Sequence, residues 1–198
     1  MILWTGVPGG ITAAPGNYFA RFKNGKDSAE VPFTIKADPN YKISQQDYDQ
    51  QQTFLQTMID KFNETQKAIK DIRALRSQIN SFTDLQGKDM PKDIKQMADS
   101  INKNLTSIEE TLYQTKSKSG QDPLNYPIKL NDKLSGVFDA ANSGNFAPSK
   151  QSREVYADLA GQINRELNKL KTIFSVDVPR LNQLIREKQL PVIGVKKE

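Results

Sequence analysis

The sequence predicts a mainly α-helical fold, an antiparallel up-down bundle of about four helices plus a short fifth, preceded by a small β-hairpin segment. The first observation is the stretch 43–82, which lacks Gly and Pro and repeats its large apolar residues at steps of three, four or seven. That spacing is typical of one face of a helix. The second is that shorter stretches with the same spacing follow, separated by polar segments rich in Gly or Pro. The third is that residues 1–42 lack this period, and part of them alternates around an Asn-Gly pair.

The β segment centres on Asn24-Gly25, a strong hairpin-turn signal. With a loop from Asn24 to Asp27, the expected register pairs Tyr18 with Phe33, Ala20 with Val31, Phe22 with Ala29, and Arg21 with Glu30. This register collects the apolar side chains on one face and opposite charges on the other. A lone hairpin is marginal in water. We therefore predict that the segment is the remnant of a larger β-sandwich, or that it packs against the helices.

The predicted domains are 1–42, the hairpin remnant of an immunoglobulin-like or β-sandwich module, and 43–198, a helical bundle. Ser44, followed by Asp47, predicts an N-cap with a capping box for the first helix. The residues that we expect to face inward from the first helix are Leu55, Met58, Phe62, Ile69, Ile72, Leu75, Ile79 and Phe82. Those of the second helix, after a loop at 83–91, are Ile94, Met97, Ile101, Leu105, Ile108 and Leu112.

The second half of the chain predicts three more helices. The third ends at Gly144, the fourth opens at Pro148-Ser149, and the short fifth is capped by Asp177 with Pro179 in its first turn. Their expected inward residues are Leu130, Leu134, Val137, Phe138 and Ala141, then Val155, Leu159, Ile163, Leu167, Leu170 and Phe174, then Leu181, Leu184 and Ile185.

Composition narrows the classes of function. The chain has no Cys and no His, so it lacks disulfides, zinc-thiolate sites and the commonest general base and metal ligand. Its net charge of +5 is scattered among acidic residues, so we expect no nucleic-acid binding. It has no apolar run of transmembrane length, so we expect a soluble chain without membrane insertion.

Paired carboxylates would be the first requirement of a glycosidase. The candidate pairs are Asp60/Glu64, Glu154/Asp158 and Glu109-Glu110, and each lies among polar residues that we expect on a solvated helix face. We therefore predict no catalytic residue. A di-iron bundle needs Glu-x-x-His motifs, which a chain without His lacks, so we predict no metal site.

Other candidate sites have structural explanations. Gly9-Gly10 lacks the spacing of a phosphate or dinucleotide loop, so we predict no cofactor site. Trp4 and Tyr18 could form a sugar-stacking platform, although a single Trp here is more often part of the core. We expect Tyr126, Tyr156 and Asn131 to lie where the crossover and the third and fourth helices meet, with the tyrosine hydroxyls buried and hydrogen-bonded.

Three passages resemble a known family. PGNYFARFKNGKDSAEVPFTIKADPNY (15–41) resembles the closing hairpin of an immunoglobulin-like module, with a Pro-Gly-x-Tyr strand start and an Asp-Pro-Arg exit in which Asn40 replaces the Arg. YPIKLNDKLSGV (126–137) and APSKQSREVYADL (147–159) resemble segments of the helical region that follows. Together they resemble the C-terminal region of bacterial secreted sortilin-like, BNR-repeat proteins labelled glycosyl hydrolases.

The resemblance implies a non-catalytic C-terminal structural and interaction module, located in the periplasm or on the cell surface. Its partners would be an upstream propeller and immunoglobulin-like domain of the same polypeptide, and any hydrolase label would refer to the propeller. Two alternatives stay open: a glycoside hydrolase whose carboxylates converge in three dimensions, and a free-standing helical adaptor that binds a peptide. Because a truncated sheet leaves an exposed edge, we also predict a dimer through the hairpin from Tyr18 to Ile35.

Overall fold

The computed structural model describes Leu3, Trp4, Gly6 and residues 8–194, and it is mainly helical with an N-terminal two-stranded hairpin, as predicted. The elements are β1 (Gly16–Asn24), β2 (Asp27–Ile35), α1 (Gln45–Gln86), α2 (Lys92–Leu112), α3 (Leu130–Asn142), α4 (Lys150–Thr172) and α5 (Val178–Glu187). Short 3₁₀ turns lie at Gly87–Asp89 and Asp122–Leu124, and a π-helical turn at Ile173–Asp177 joins α4 to α5.

The hairpin has the predicted register. Tyr18 lies opposite Phe33, and Arg21 lies opposite Glu30. The turn is shorter than expected, because Asn24 and Asp27 also pair and leave two residues between the strands. Gly25 has a φ of 61° there, a conformation that glycine adopts without steric cost.

The first helix begins where the sequence predicts. The Ser44 side chain accepts a hydrogen bond from the Asp47 amide at 3.1 Å, and the Asp47 carboxylate accepts one from the Ser44 amide at 3.2 Å. Side-chain acceptors thus serve two amides at the first turn of the helix. The helix ends at Gly87, whose φ is 58°. With 42 residues, α1 is roughly 63 Å long at the usual rise per residue.

The core lies along one side of α1. The predicted inward residues of α1 and α2 are buried, except for Phe82 and Met97, which are partly buried. Two predictions on α4 and its extension are wrong, since Val155 is 49% exposed and Phe174 is 40% exposed. No helix in the described part of the chain is long and apolar enough to cross a membrane.

Polar contacts identify which parts of the helices are neighbours. Between α1 and α2, the Asn102 amide donates to the Asn80 side-chain oxygen at 3.0 Å. Between α1 and α4, Lys61 donates to Asn164 at 2.8 Å. At the far end of α1, the Gln86 amide donates to the Pro191 carbonyl at 2.6 Å.

The predicted cap of the fifth helix is wrong. Asp177 has helical backbone angles and makes no side-chain cap, because the π-helical turn carries α4 into α5 without a break. The Val178 amide bonds the Ile173 carbonyl, five residues back. Pro179 lacks an amide hydrogen and its ring would crowd the carbonyl four residues earlier in a regular helix. The wider π turn relieves that conflict, so the proline does not end the helix.

The N-terminal strap (Leu3, Trp4, Gly6 and residues 8–14) lies on the helices. Leu3 and Ile11 pack against the core, and Ala14 is buried. The Trp4 amide donates to the Asp132 carboxylate at 2.8 Å, and Ser135 Oγ donates to the Gly6 carbonyl at 2.7 Å. The strap therefore belongs to the helical body, whereas the hairpin that follows it does not.

Candidate functional site

One face of the hairpin is apolar and open to solvent. Alternation along the strands places Tyr18, Ala20 and Phe22 of β1 beside Phe33, Val31 and Ala29 of β2, a set that we call the hairpin face. Phe22 is 63% exposed, Val31 is 52% exposed and Phe33 is 46% exposed. The Tyr18 and Phe33 rings stack with centroids 5.8 Å apart. Aromatic and β-branched side chains are thus ordered on the strands without being covered.

The opposite face is polar apart from Phe19 and Pro32. Arg21 and Glu30 form an ion pair between exposed side chains, as the register predicts. Thr34 donates to the Asn17 side-chain oxygen at 2.9 Å. Phe19, also on this face, is 69% exposed. Exposed pairs of this kind contribute little to stability, so they fix the register more than they hold the hairpin folded.

Within the described part of the chain, the hairpin is attached to the body at its base alone. The Tyr18 hydroxyl donates to the Ala14 carbonyl at 2.7 Å, and the Gln45 amide donates to the Pro15 carbonyl at 3.1 Å. Every residue from 21 to 34 is exposed. Of the two alternatives for the hairpin, packing against the helices is therefore wrong. The sheet has two strands, and both outer edges are unpaired in the described chain.

The strongest charge cluster lies on the helices, and the sequence did not predict it. Glu109 is 3% exposed, whereas we expected it on a solvated face. Its two carboxylate oxygens accept from Arg73 Nε and from an Arg76 guanidinium nitrogen, both at 2.6 Å. Arg73 also lies over the Tyr113 ring, 5.2 Å from its centroid. Both carboxylate oxygens have cationic partners, an arrangement that holds α2 against α1.

The other paired carboxylates lie on the surface, as predicted. Asp60 and Glu64 are exposed, with Asp60 accepting from Gln56 at 2.8 Å and Glu64 forming an ion pair with Lys61 at 2.5 Å. Glu154 and Asp158 are exposed too. Among the described residues, no group of three or more acidic side chains is placed to hold a metal ion.

Two groups with raised pKa values, Tyr156 and Asp139, owe the shift to their surroundings. Burial and the nearby Glu64 and Asp60 charges raise the pKa of Tyr156, whose hydroxyl donates to the Thr57 carbonyl at 3.4 Å. Burial raises the pKa of Asp139. Neither group has a nucleophile beside it in these contacts, so the shifts have structural causes.

The remaining predicted candidates differ in burial. Trp4 is 56% exposed, so the expectation that it belongs to the core is wrong, although its backbone is bonded to α3. Asn131 is fully buried, while Tyr126 and Tyr156 are partly buried. Gly9-Gly10 is an exposed part of the strap.

A shallow apolar groove runs between the C-terminal half of α1 and α5, with a volume of about 600 Å³. Ile79, Phe82 and Leu181 line it, and so do Val192 and Ile193 of the C-terminal segment. These last two are exposed, Ile193 by 90%. The groove is therefore bordered by apolar side chains of the segment that follows α5.

Comparison with known proteins adds no identification: no family model, no curated protein and no solved structure matches this chain.

Proposed function

We propose that this chain is a non-catalytic structural and interaction module that docks through its hairpin face onto a β-sheet of a neighbouring domain. The observation that carries the proposal is the ordered but uncovered set of apolar side chains on the hairpin. Its larger context is the one that the sequence resemblance implies, the C-terminal part of a secreted sortilin-like propeller protein outside the cytoplasm. The neighbour would be the immunoglobulin-like domain of the same polypeptide.

Energetics supports docking of the hairpin face. Fully burying a Phe or Val side chain contributes roughly 1.5–3 kcal/mol relative to leaving it exposed. Phe22, Val31 and Phe33 lie side by side on one face, so a second sheet about 10 Å away would cover all three at once. A hairpin kept in solvent gains none of this, so docking of the hairpin face is favourable.

We also propose how the helices are arranged relative to one another. Contacts between α1 and the α4–α5 region join residues 103, 103 and 105 positions apart, which indicates that these helices run parallel. Contacts between α1 and α2 pair Arg73 with Glu109 and Asn80 with Asn102, which indicates antiparallel packing. The up-down bundle then has three columns: α1, α2 followed by α3, and α4 followed by α5.

The chemistry of the acidic residues favours a non-catalytic role over hydrolysis. A glycosidase needs one carboxylic acid that protonates the leaving group and a second carboxylate that attacks or activates water. Glu109, the most deeply buried glutamate among the described residues, is bonded to two arginines, and these hold it as an ion-pair partner.

The test is to express the upstream polypeptide separately and measure its binding to this chain by calorimetry. Phe22→Ser and Phe33→Ser, on the hairpin face, should each weaken binding at least tenfold, which corresponds to about 1.4 kcal/mol. Phe19→Ser, on the opposite face, removes a ring of the same kind and should leave binding unchanged. Equal effects of all three substitutions, or glycan hydrolysis by this chain alone, would refute the proposal.

The α1–α5 groove favours a second candidate, a helical adaptor that binds an amphipathic peptide. Its apolar lining fits the apolar face of a helix, and Val192 and Ile193 occupy its border. A chain that ends at Pro191 should then bind such a peptide more tightly than the full chain. Equal or absent binding would leave the hairpin as the docking surface.

A further inference from the structure

We propose that the outer edge of β1 pairs with the β1 edge of a second copy, forming a four-stranded sheet with its two-fold axis at Ala20. The inference rests on the proposed function only in treating the hairpin as an interaction element. It concerns the strand edge, whereas docking onto a neighbouring domain uses the hairpin face. Both contacts can be made at the same time.

The two edges of the hairpin are chemically different. Because Asn24 and Asp27 close a two-residue turn, they form a hydrogen-bonded pair, and bonded and non-bonded pairs then alternate away from the turn. Phe19 and Pro32 fall in a non-bonded pair, whose backbone groups point away from the partner strand. This agrees with Pro32 itself, which has no amide hydrogen to give to β1.

Pro32 therefore blocks the outer edge of β2. It removes an outward amide near the middle of that strand, and its ring occupies the place of an incoming strand. On β1, the residues whose backbone N–H and C=O groups point outward are Asn17, Phe19, Arg21 and Lys23, and all four have an amide hydrogen. Only β1 therefore offers a continuous row of donors and acceptors.

The sequence of β1 is complementary to itself. The strand runs from Gly16 to Asn24, so an antiparallel register centred on Ala20 pairs all nine of its residues. Phe19 then lies opposite the partner's Arg21, a cation–π arrangement, and Tyr18 lies opposite the partner's Phe22. If the two strands shift by two residues so that the axis lies at Arg21, Arg21 lies opposite the partner's Arg21, and like-charge repulsion disfavours that register. A second copy is thus a better partner than an arbitrary strand.

This pairing produces a closed dimer. Each copy uses its β1 edge, and the outer edges left on the new sheet are the two β2 edges that Pro32 blocks. The sheet therefore cannot grow into a fibre, which an isologous two-fold contact also prevents. The hairpin faces of the two copies become one apolar surface.

The first experiment compares Arg21→Pro with Glu30→Pro in the full chain by sedimentation velocity. Both substitutions break the same ion pair, and both lie in a non-bonded pair, so neither removes a hydrogen bond between β1 and β2. Only Arg21→Pro removes a donor from the β1 edge. The unmodified chain and Glu30→Pro should sediment with twice the 22.3 kDa chain mass, and Arg21→Pro with the mass of one chain.

The second experiment uses the absence of cysteine in the chain. At the axis, Ala20 and the partner's Ala20 form a non-bonded pair with Cα atoms about 4.5 Å apart, a separation that a disulfide can span. Ala20→Cys should therefore give a disulfide-linked dimer under mild oxidation. Val31→Cys, on the same face but more exposed, should not, because the two copies of Val31 would lie roughly 14 Å apart across three strand spacings.

Hydrogen exchange of the Ala20 and Val31 amides, which face the partner strand within the hairpin, checks that each variant keeps its hairpin. A monomeric unmodified chain, equal dissociation of both proline variants, or cross-linking of Val31→Cys in preference to Ala20→Cys would overturn the inference. None of these results bears on the hairpin face, whose binding to the upstream polypeptide is measured independently.

Discussion

At the scale of single residues, the buried ion cluster joins α1 to α2. Glu109 is buried, while Arg73 is 53% exposed and Arg76 is 26% exposed at their side chains. A carboxylate in an apolar interface costs much free energy unless cationic donors surround it. Here the two arginines lie three positions apart on α1, so both reach the same carboxylate.

Glu109→Ala should lower the free energy of unfolding by about 2 kcal/mol, because it leaves Arg76 partly buried without its main partner. The value is below that for a fully buried pair because water reaches both arginines. Urea denaturation measures it. Glu110→Ala, at the exposed neighbouring position, should change stability by less than about 0.5 kcal/mol, and an equal loss in both variants would contradict the role of the cluster.

The burial of Glu109 could not be predicted from its neighbours in sequence. In the sequence of α2 it follows the apolar residue Ile108 and precedes a second acid, so the local pattern predicts a solvent-exposed side chain. Its environment comes from Arg73 and Arg76, more than thirty positions earlier. A charged residue next to an apolar stripe, with two cations three apart on a predicted neighbouring helix, is the signal that would have indicated it.

Asp122 organises the crossover between α2 and α3. Its carboxylate accepts from the Lys118 and Ser119 amides, at 2.5 and 2.9 Å, and these bonds hold its pKa below the usual 3.8. Since the folded pKa is depressed, the stabilisation is present above pH 3.8 and is lost as the pH falls through the lower folded value. An NMR titration should show this carboxyl ionising below the usual range.

Asp122→Ala tests the same contacts at neutral pH. The Lys118 and Ser119 amides should exchange with solvent faster, because they lose their acceptor. The amide of Lys95, which bonds Pro91 within the helical body, serves as the internal control and should keep its exchange rate. Unchanged exchange at Lys118 and Ser119 would show that another group holds the loop.

At the scale of elements, boundaries set by local chemistry were predicted better than the boundary between α4 and α5, which depends on packing. The capping box of Ser44 and the Asn-Gly turn act over three or four residues, so the sequence alone indicates them. The join between α4 and α5 depends on packing. After Ile173, the positions that face the core recur every four residues, at Asp177, which is partly buried, Leu181 and Ile185. The π turn at Ile173–Asp177 accommodates the one residue by which this spacing exceeds that of a regular helix.

Ser44→Ala should destabilise the chain by about 1 kcal/mol, since the N-cap satisfies an amide at the first turn of the longest helix. Ser81→Ala, at an exposed position inside the same helix, should be neutral or slightly stabilising because alanine has the higher helix propensity. Thermal unfolding followed by circular dichroism distinguishes them, and equal effects would mean that the cap is not needed.

Deletion of Val176, which is 54% exposed, should convert the π turn to a regular helical turn and be tolerated. Ala157 is exposed within the regular part of α4. Because no π turn lies there to compensate for a lost residue, its deletion should displace Leu159 and Ile163 from the core. The two variants are compared by their unfolding midpoints. A lower midpoint for the Val176 deletion than for the Ala157 deletion would contradict the insertion interpretation.

At the scale of the whole molecule, the strap and the hairpin contribute in opposite ways although they are adjacent in the chain. The strap covers the core and bonds Asp132 and Ser135 of α3, two of its buried polar residues. Among the described residues, the hairpin touches the body only at its base. Stability should therefore come from the strap and the helices, and association from the hairpin.

Two deletions test this division. The paired ends of the hairpin, Gly16 and Ile35, are about 5.5 Å apart as a bonded pair, so a Gly-Ser link can replace residues 17–34 without moving the strap. That variant should keep the unfolding midpoint of the full chain and lose association.

A chain that begins at Gly16 keeps the hairpin and loses the strap. This deletion should lower the free energy of unfolding by about 2 kcal/mol, because Leu3 and Ile11 no longer cover the core. If removing the hairpin destabilises the chain as much as removing the strap, the hairpin is part of the folded core, and the uncovered face is not its docking surface.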